Sequence, residues 1–158
     1  MTGMAAMRAL LVLFVALTLA ACASDRPRAP AEGSKMKTVT AQDLAGTEWL
    51  LESLGGASVL ERAPATLAFP EPGRVAGKGS CNRFMGSVEI SQGAVRFGKM
   101  ASTMMACPAE VMQQEAAYLK ALENADRIQL EGRYLLVYPK GMEKPLRFTR
   151  MDSVKPAS

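Results

Sequence analysis

The sequence contains no histidine. That absence removes Ser-His-Asp triads, Cys-His dyads and His-ligated zinc. Cysteine is sparse, at three in 158 residues, an odd number that an exported protein has to account for. A long apolar run is missing too. The longest stretch, Ala9 to Leu19, is too short for a comfortable membrane span, which needs about 20 apolar residues. There is no concentrated excess of charge of either sign. The net charge is +4, and the basic residues are scattered along the chain, so nucleic acid is not an expected partner despite a pI of 9.1. What remains is ordinary globular material, 49% hydrophobic and 22% charged, which excludes wholesale disorder.

The first 22 residues read as an address. Arg8 is a short positive region, and the apolar run after it suits the core of a secretory signal. The run ends in Leu19-Ala20-Ala21-Cys22, which resembles the lipobox of bacterial lipoproteins. The resemblance implies removal of residues 1–21, a diacylglyceryl thioether on Cys22 and acylation of its new amine. Several acyl chains on one residue satisfy the two-signal condition for stable anchoring. Ala23 rather than Asp follows the cysteine, so in a Gram-negative host the expected location is the outer membrane, facing the periplasm. Residues 22–42 carry Arg26-Pro27-Arg28-Ala29-Pro30-Ala31 and Gly33-Ser34-Lys35, with almost no large apolar side chain. They are expected to form a flexible tether, whose cations would also favour anionic head groups. Residues 43–151 are then one domain, followed by a disordered tail over 152–158. About 110 residues are enough for one core and too few for two. A monomer is expected.

Lipidation of Cys22 leaves Cys81 and Cys107 as an even pair in an oxidising compartment. A bond between them would close a loop of about 27 residues, worth roughly 3.5 kcal/mol on the chain-entropy model. The alternative is two free thiols in a metal or redox site.

From Asp43 onward, short apolar alternations are separated by Gly and Pro. They predict strands at Thr47–Glu52, Ala65–Phe69, Arg74–Gly79, Phe84–Ile90 and Ala94–Phe97. Three more are predicted near Ile128/Leu130, Tyr134–Tyr138 and Leu146/Phe148. Glycines 77, 79 and 86 suggest either close approach of a ligand or partner strand, or tight curvature. One helix is predicted from Pro108 to about Asn124. Its apolar face carries Val111, Met112, Tyr118, Leu119 and Leu122, with Gln113, Gln114, Lys120 and Asn124 turned away. Glu115 interrupts that face. A buried carboxylate needs a partner, and Asn82 and Arg83 beside Cys81 are the candidates. Glu115 is then either a perturbed acid in a pocket or a structural carboxylate that orients the turn.

Three ordered motifs resemble those of META domains, the HslJ-like group. Leu44-Ala45-Gly46-Thr47-Glu48-Trp49-Leu50-Leu51 resembles its L-x-G-T-x-W-x-L opening, and Gly79 to Gly86 resembles its G-x-C-N-x-[FY]-x-G segment. Ala101-Ser102-Thr103-Met104-Met105-Ala106-Cys107 resembles its x-T-x-M-A-C segment, and Glu115 matches the helical Glu that follows. Family patterns often carry Arg where Met104 stands, so no cationic role is carried over to that position. The resemblance implies an α+β domain, mainly antiparallel β, with the sheet curled into a partial barrel and one helix packed across it. It further implies envelope placement, links of some members to heat shock or antibiotic tolerance, and no established catalytic activity.

The function expected from these features is that of a non-enzymatic envelope lipoprotein, without cofactor or resident metal, that binds a protein or an acyl chain. The first competing class is Cu(I) handling by Met100, Met104, Met105 and Cys107 as soft ligands. The second is a hydrolase drawing on Ser80, Ser102 or Thr103 with Glu115 as base.

Overall fold

A computed structural model describes residues 38–151. The expected leader, Cys22 with most of its tether, and the tail from 152 on lie outside the described residues. Residues just before Asp43, the start expected for the domain, also pack against it. Val39 is buried in the core, and its carbonyl accepts a hydrogen bond from Gly93 N at 3.0 Å. A single turn of helix, α1 (Ala41–Leu44), follows. It starts at Thr40, whose backbone N–H and hydroxyl both donate to Asp43 Oδ2.

Ten strands follow: β1 (Thr47–Leu54), β2 (Ala57–Ser58), β3 (Thr66–Phe69), β4 (Arg74–Lys78), β5 (Arg83–Ser91), β6 (Ala94–Phe97), β7 (Ala101–Ser102), β8 (Ala125–Glu131), β9 (Tyr134–Pro139) and β10 (Leu146–Arg150). The long helix α2 (Ala109–Glu123) lies between β7 and β8. Every pairing is antiparallel, in the order β1-β3-β4-β5-β6-β8-β9-β10, and β10 pairs back onto β1. The expected partial barrel is therefore a closed ring of eight strands, with β2 beside β1 and β7 beside β5. Closure removes the free edges of an open sheet. The hairpins are set by the turns read from the sequence. At Gln92-Gly93 both residues have positive φ, 50° and 79°, which matches the twist of a two-residue hairpin loop. α1, β2 and β7 are too short to show periodicity, which is why the sequence does not predict them.

The inward side chains alternate along each strand. Trp49, Leu51, Leu67, Phe69, Val75, Phe84, Val88, Val95, Phe97, Ile128, Leu135, Val137, Leu146 and Phe148 form one buried cluster. From α2, Tyr118, Ala121 and Leu122 join it. The Tyr118 ring meets Phe84 edge-on at 6.1 Å and Phe148 at 6.2 Å. Those two strands, β5 and β10, stand four steps apart around the eight-strand ring, so a single helical side chain bridges opposite walls. Eight strands enclose a space that side chains can fill, and here they fill it. Met112, expected on the packed face, is instead exposed, and Gln114, expected to face away, is half-buried. Gln114 stands three residues after Val111 and four before Tyr118, at the edge of the packed face, where it bonds the chain beneath the helix.

The Tyr118 hydroxyl donates to Thr66 O at 3.0 Å, and burial pushes its ionisation well above the usual phenol value. Tyr118→Phe is expected to lower stability by about 1 kcal/mol in urea unfolding at neutral pH. The raised value also sets a sign. The folded state keeps the proton where the unfolded chain releases it, so the contribution is intact below pH about 10 and is lost above it. Wild type should lose stability by up to about 1.4 kcal/mol per pH unit more steeply than Tyr118→Phe in that range.

Candidate functional site

The motif-bearing residues gather at two places. At the start of β1, Gly46 takes φ +72° and its N–H donates to Phe69 O at 2.7 Å. The Thr47 hydroxyl donates to Leu44 O at 2.6 Å and accepts from Trp49 Nε1 at 2.7 Å. This relay satisfies the one polar atom of the buried indole. Its role is to seat Trp49 in the barrel.

The second place is the turn between β4 and β5, and Glu115 organises it. Glu115 lies on the inner face of α2, only 5% exposed. Its Oε2 accepts from the backbone N–H groups of Cys81 at 2.9 Å and Asn82 at 2.6 Å, and its Oε1 accepts from Asn82 Nδ2 at 2.7 Å. A side chain at Gly79 would strike this carboxylate, since a Cβ there would stand 2.7 Å from Glu115 Cγ. Asn82 carries the contact onward. Its Oδ1 accepts from Met105 N at 2.7 Å and from the Thr103 hydroxyl at 3.0 Å. The disulfide between Cys81 and Cys107 ties the same turn to the helix approach. One residue along α2, Gln114 accepts from Leu60 N and donates to Ala63 O and Ser80 Oγ, all within 2.9 Å. Ser80 holds φ +131°, a conformation few side chains tolerate, and is buried there.

Of the residues expected at this site, Glu115 and Asn82 meet. Arg83 does not. Its side chain is exposed, and it reaches the network only through its backbone, which bonds Thr103. Three N–H donors supplied by the turn do the work expected of a guanidinium, at no cost of burying a second charge. Gln114 is the member the sequence does not reveal, because a glutamine beside an apolar face looks like a surface residue.

The hydrolase candidates do not converge. Ser80 accepts from Gln114, the Ser102 hydroxyl donates to backbone carbonyls, and the Thr103 hydroxyl donates to Asn82. Among the described residues no hydroxyl contacts Glu115, so no nucleophile stands against a base. The copper set loses its thiolate, since the Cys107 sulfur is bonded to Cys81. Among the described residues no three of His, Cys, Asp and Glu cluster as metal ligands. The close approaches at the glycines are filled by the chain itself: Thr66 O and Phe84 at Gly77, Glu115 at Gly79, and Lys99 O with Met100 at Gly86.

An antiparallel β-barrel with one helix across it, and a carboxylate from that helix held by a G-x-C-N turn, defines a class of small domain. The chain belongs to the META domain family, whose model matches residues 42–153. An NMR structure of a protein from Burkholderia xenovorans is similar at 30% identity, with a TM-score of 0.57, over 70% of this chain and 85% of that one. A second NMR structure shares the fold at 24% identity and a TM-score of 0.61, over 74% of this chain and 99% of the other. No curated protein matches the sequence.

Proposed function

We propose that this protein is a lipid-anchored envelope protein without catalytic activity, whose META domain acts through its outer surface on a protein or lipid partner. One observation carries the reading: among the described residues, the cluster of polar side chains that the motifs assemble spends its hydrogen bonds on itself. Glu115, Asn82, Gln114 and Ser80 are each bonded within the fold. The barrel interior, the other place a small domain can hold a ligand, is occupied by its own side chains. That packing supports a reading in which a protein or lipid partner is met on the exterior rather than held inside. The lipobox at Leu19–Cys22 supports membrane attachment, in the outer membrane of a Gram-negative host. A role in supporting that membrane, or its tolerance of heat or antibiotics, follows from the family resemblance.

The test is the intact mass of the protein purified from bacterial membranes. Loss of residues 1–21 and a diacylglyceryl mass on Cys22 are expected. Cys22→Ser should abolish the added mass and the membrane association. An unmodified Cys22 on a processed, soluble chain would overturn the anchor. In-vivo crosslinking from surface positions then identifies the partner.

A further inference from the structure

We infer that the end of the barrel around Arg83 and β7 is a docking surface for an anionic lipid bilayer; this rests on the anchored-envelope reading and extends it. The three most exposed large apolar side chains of the described domain are Met104 at 98%, Met85 at 66% and Met105 at 56%. They lie close together in the chain's geometry. Met85 pairs with Ala101 across β5 and β7, Thr103 bonds the Arg83 backbone, and Met105 N bonds Asn82. A loose loop would fold such side chains down. This one is held out by its two bonds to Asn82 and by the disulfide at Cys107. Methionines held in water on a pinned loop are a cost to the isolated domain, and exposed apolar clusters of this kind mark contact surfaces.

The charges beside them point to the occupant. Lys78 and Arg83 are directly opposed across β4 and β5, and alternation puts Met85 on the same face of the sheet as Arg83. Like charges directly opposite one another are unfavourable. Among the described residues neither cation has an acid partner, whereas Arg62, Arg74 and Arg147 pair with Glu110, Glu71 and Glu52. Along the outward row of β5 the next acid is Glu89, roughly 13 Å beyond Met85. An opposed, uncompensated cation pair next to protruding thioethers is complementary to a surface that is negative outside and apolar beneath. Anionic head groups above acyl chains have that profile, and flexible methionine needs no shaped pocket to enter it. The chain from Cys22 to Thr38 can span at most about 55 Å, so an anchored domain stays within reach of the bilayer.

The experiment uses the full chain with Met104→Trp, read by tryptophan fluorescence against vesicles containing brominated phosphatidylglycerol. Trp49 is buried and supplies a constant background. Glu131→Trp is the control, because Glu131 ends β8 beyond Arg127, whose partner Ala94 adjoins the far end of β5 from Arg83. The expected result is a blue shift and strong quenching for Met104→Trp but not for Glu131→Trp, with both weakened in phosphatidylcholine vesicles. Adding Lys78→Glu and Arg83→Glu to Met104→Trp should lower its quenching several-fold, while the acyl chains keep the protein on the vesicle. Equal quenching at the two positions, or equal quenching in neutral vesicles, would overturn the proposal and turn the search to a protein on this face. The Cys22 mass is read on the same samples. An acylated chain without Met104→Trp quenching removes the docking surface and leaves the anchor. Quenching of an unacylated chain removes the anchor and leaves the surface.

Discussion

Glu115→Ala should bring the domain close to unfolding, with a loss of roughly 3–6 kcal/mol in urea denaturation of the oxidised protein. The carboxylate is buried, and three donors converge on it: Cys81 N, Asn82 N and Asn82 Nδ2. Removing it leaves buried N–H groups without an acceptor, at about 1–3 kcal/mol each. Domains of this size are stable by only about 5–15 kcal/mol in total. Water entering the vacated space would reduce the loss, which is why the lower bound is set near one kcal/mol per donor. Glu115→Gln separates the roles of shape and acceptor. Its one carbonyl can accept from the two backbone N–H groups, but its N–H₂ then faces Asn82 Nδ2, a donor against a donor, so it should cost about 1–3 kcal/mol despite its near-identical volume. Should Glu115→Gln prove neutral, the carboxylate is not the organising acceptor that the geometry makes it.

Removing the disulfide is the second large effect. Cys81 and Cys107 are 26 residues apart, and closing that loop restricts the unfolded chain by about 3.5 kcal/mol. Cys81→Ala with Cys107→Ala should lower stability by about that amount, as should reduction, measured by urea midpoint with and without reductant. The two effects should not add. Cys81 supplies one of the N–H groups on Glu115, and the loop to Cys107 passes Met105 and Thr103, both bonded to Asn82. Combining Glu115→Ala with the loss of the disulfide should therefore cost less than the sum of the separate losses, because both loosen the same turn. Full additivity would mean that the turn and the loop are held independently.

The turn accounts for the close spacing of glycine, cysteine and asparagine in this part of the sequence. Gly79 leaves room for the carboxylate, Cys81 and Asn82 present their N–H groups, and the Asn82 side chain bonds both Glu115 and the Met105 loop. Each residue type fits a geometric demand of the fold. The pinned loop in turn holds Met104 and Met105 in solvent, so the same network that closes the site shapes the outer surface.

Sequence alone determined the strands and the helix where alternation or helical spacing runs for four residues or more. β6 is found at Ala94–Phe97 as read, and α2 within a residue of each expected end, because local periodicity reports which side of an element is buried. Sequence also singled out Glu115 as anomalous and offered Asn82 and Arg83 together as its candidate partners, since a charge on an apolar face must be answered nearby. Only the tertiary structure decided three things. The barrel is closed, because β10 meets β1 across nearly the whole chain and no local pattern records a pairing between distant ends. Gln114 belongs to the site and the Arg83 side chain does not, because Glu115 takes its bonds from Asn82 and two backbone N–H groups, and because Gln114, at the edge of the buried face, meets Leu60, Ala63 and Ser80 from distant parts of the chain. Tyr118 bridges the barrel from Phe84 to Phe148, because whether one ring reaches two opposite walls depends on the diameter of the ring of strands.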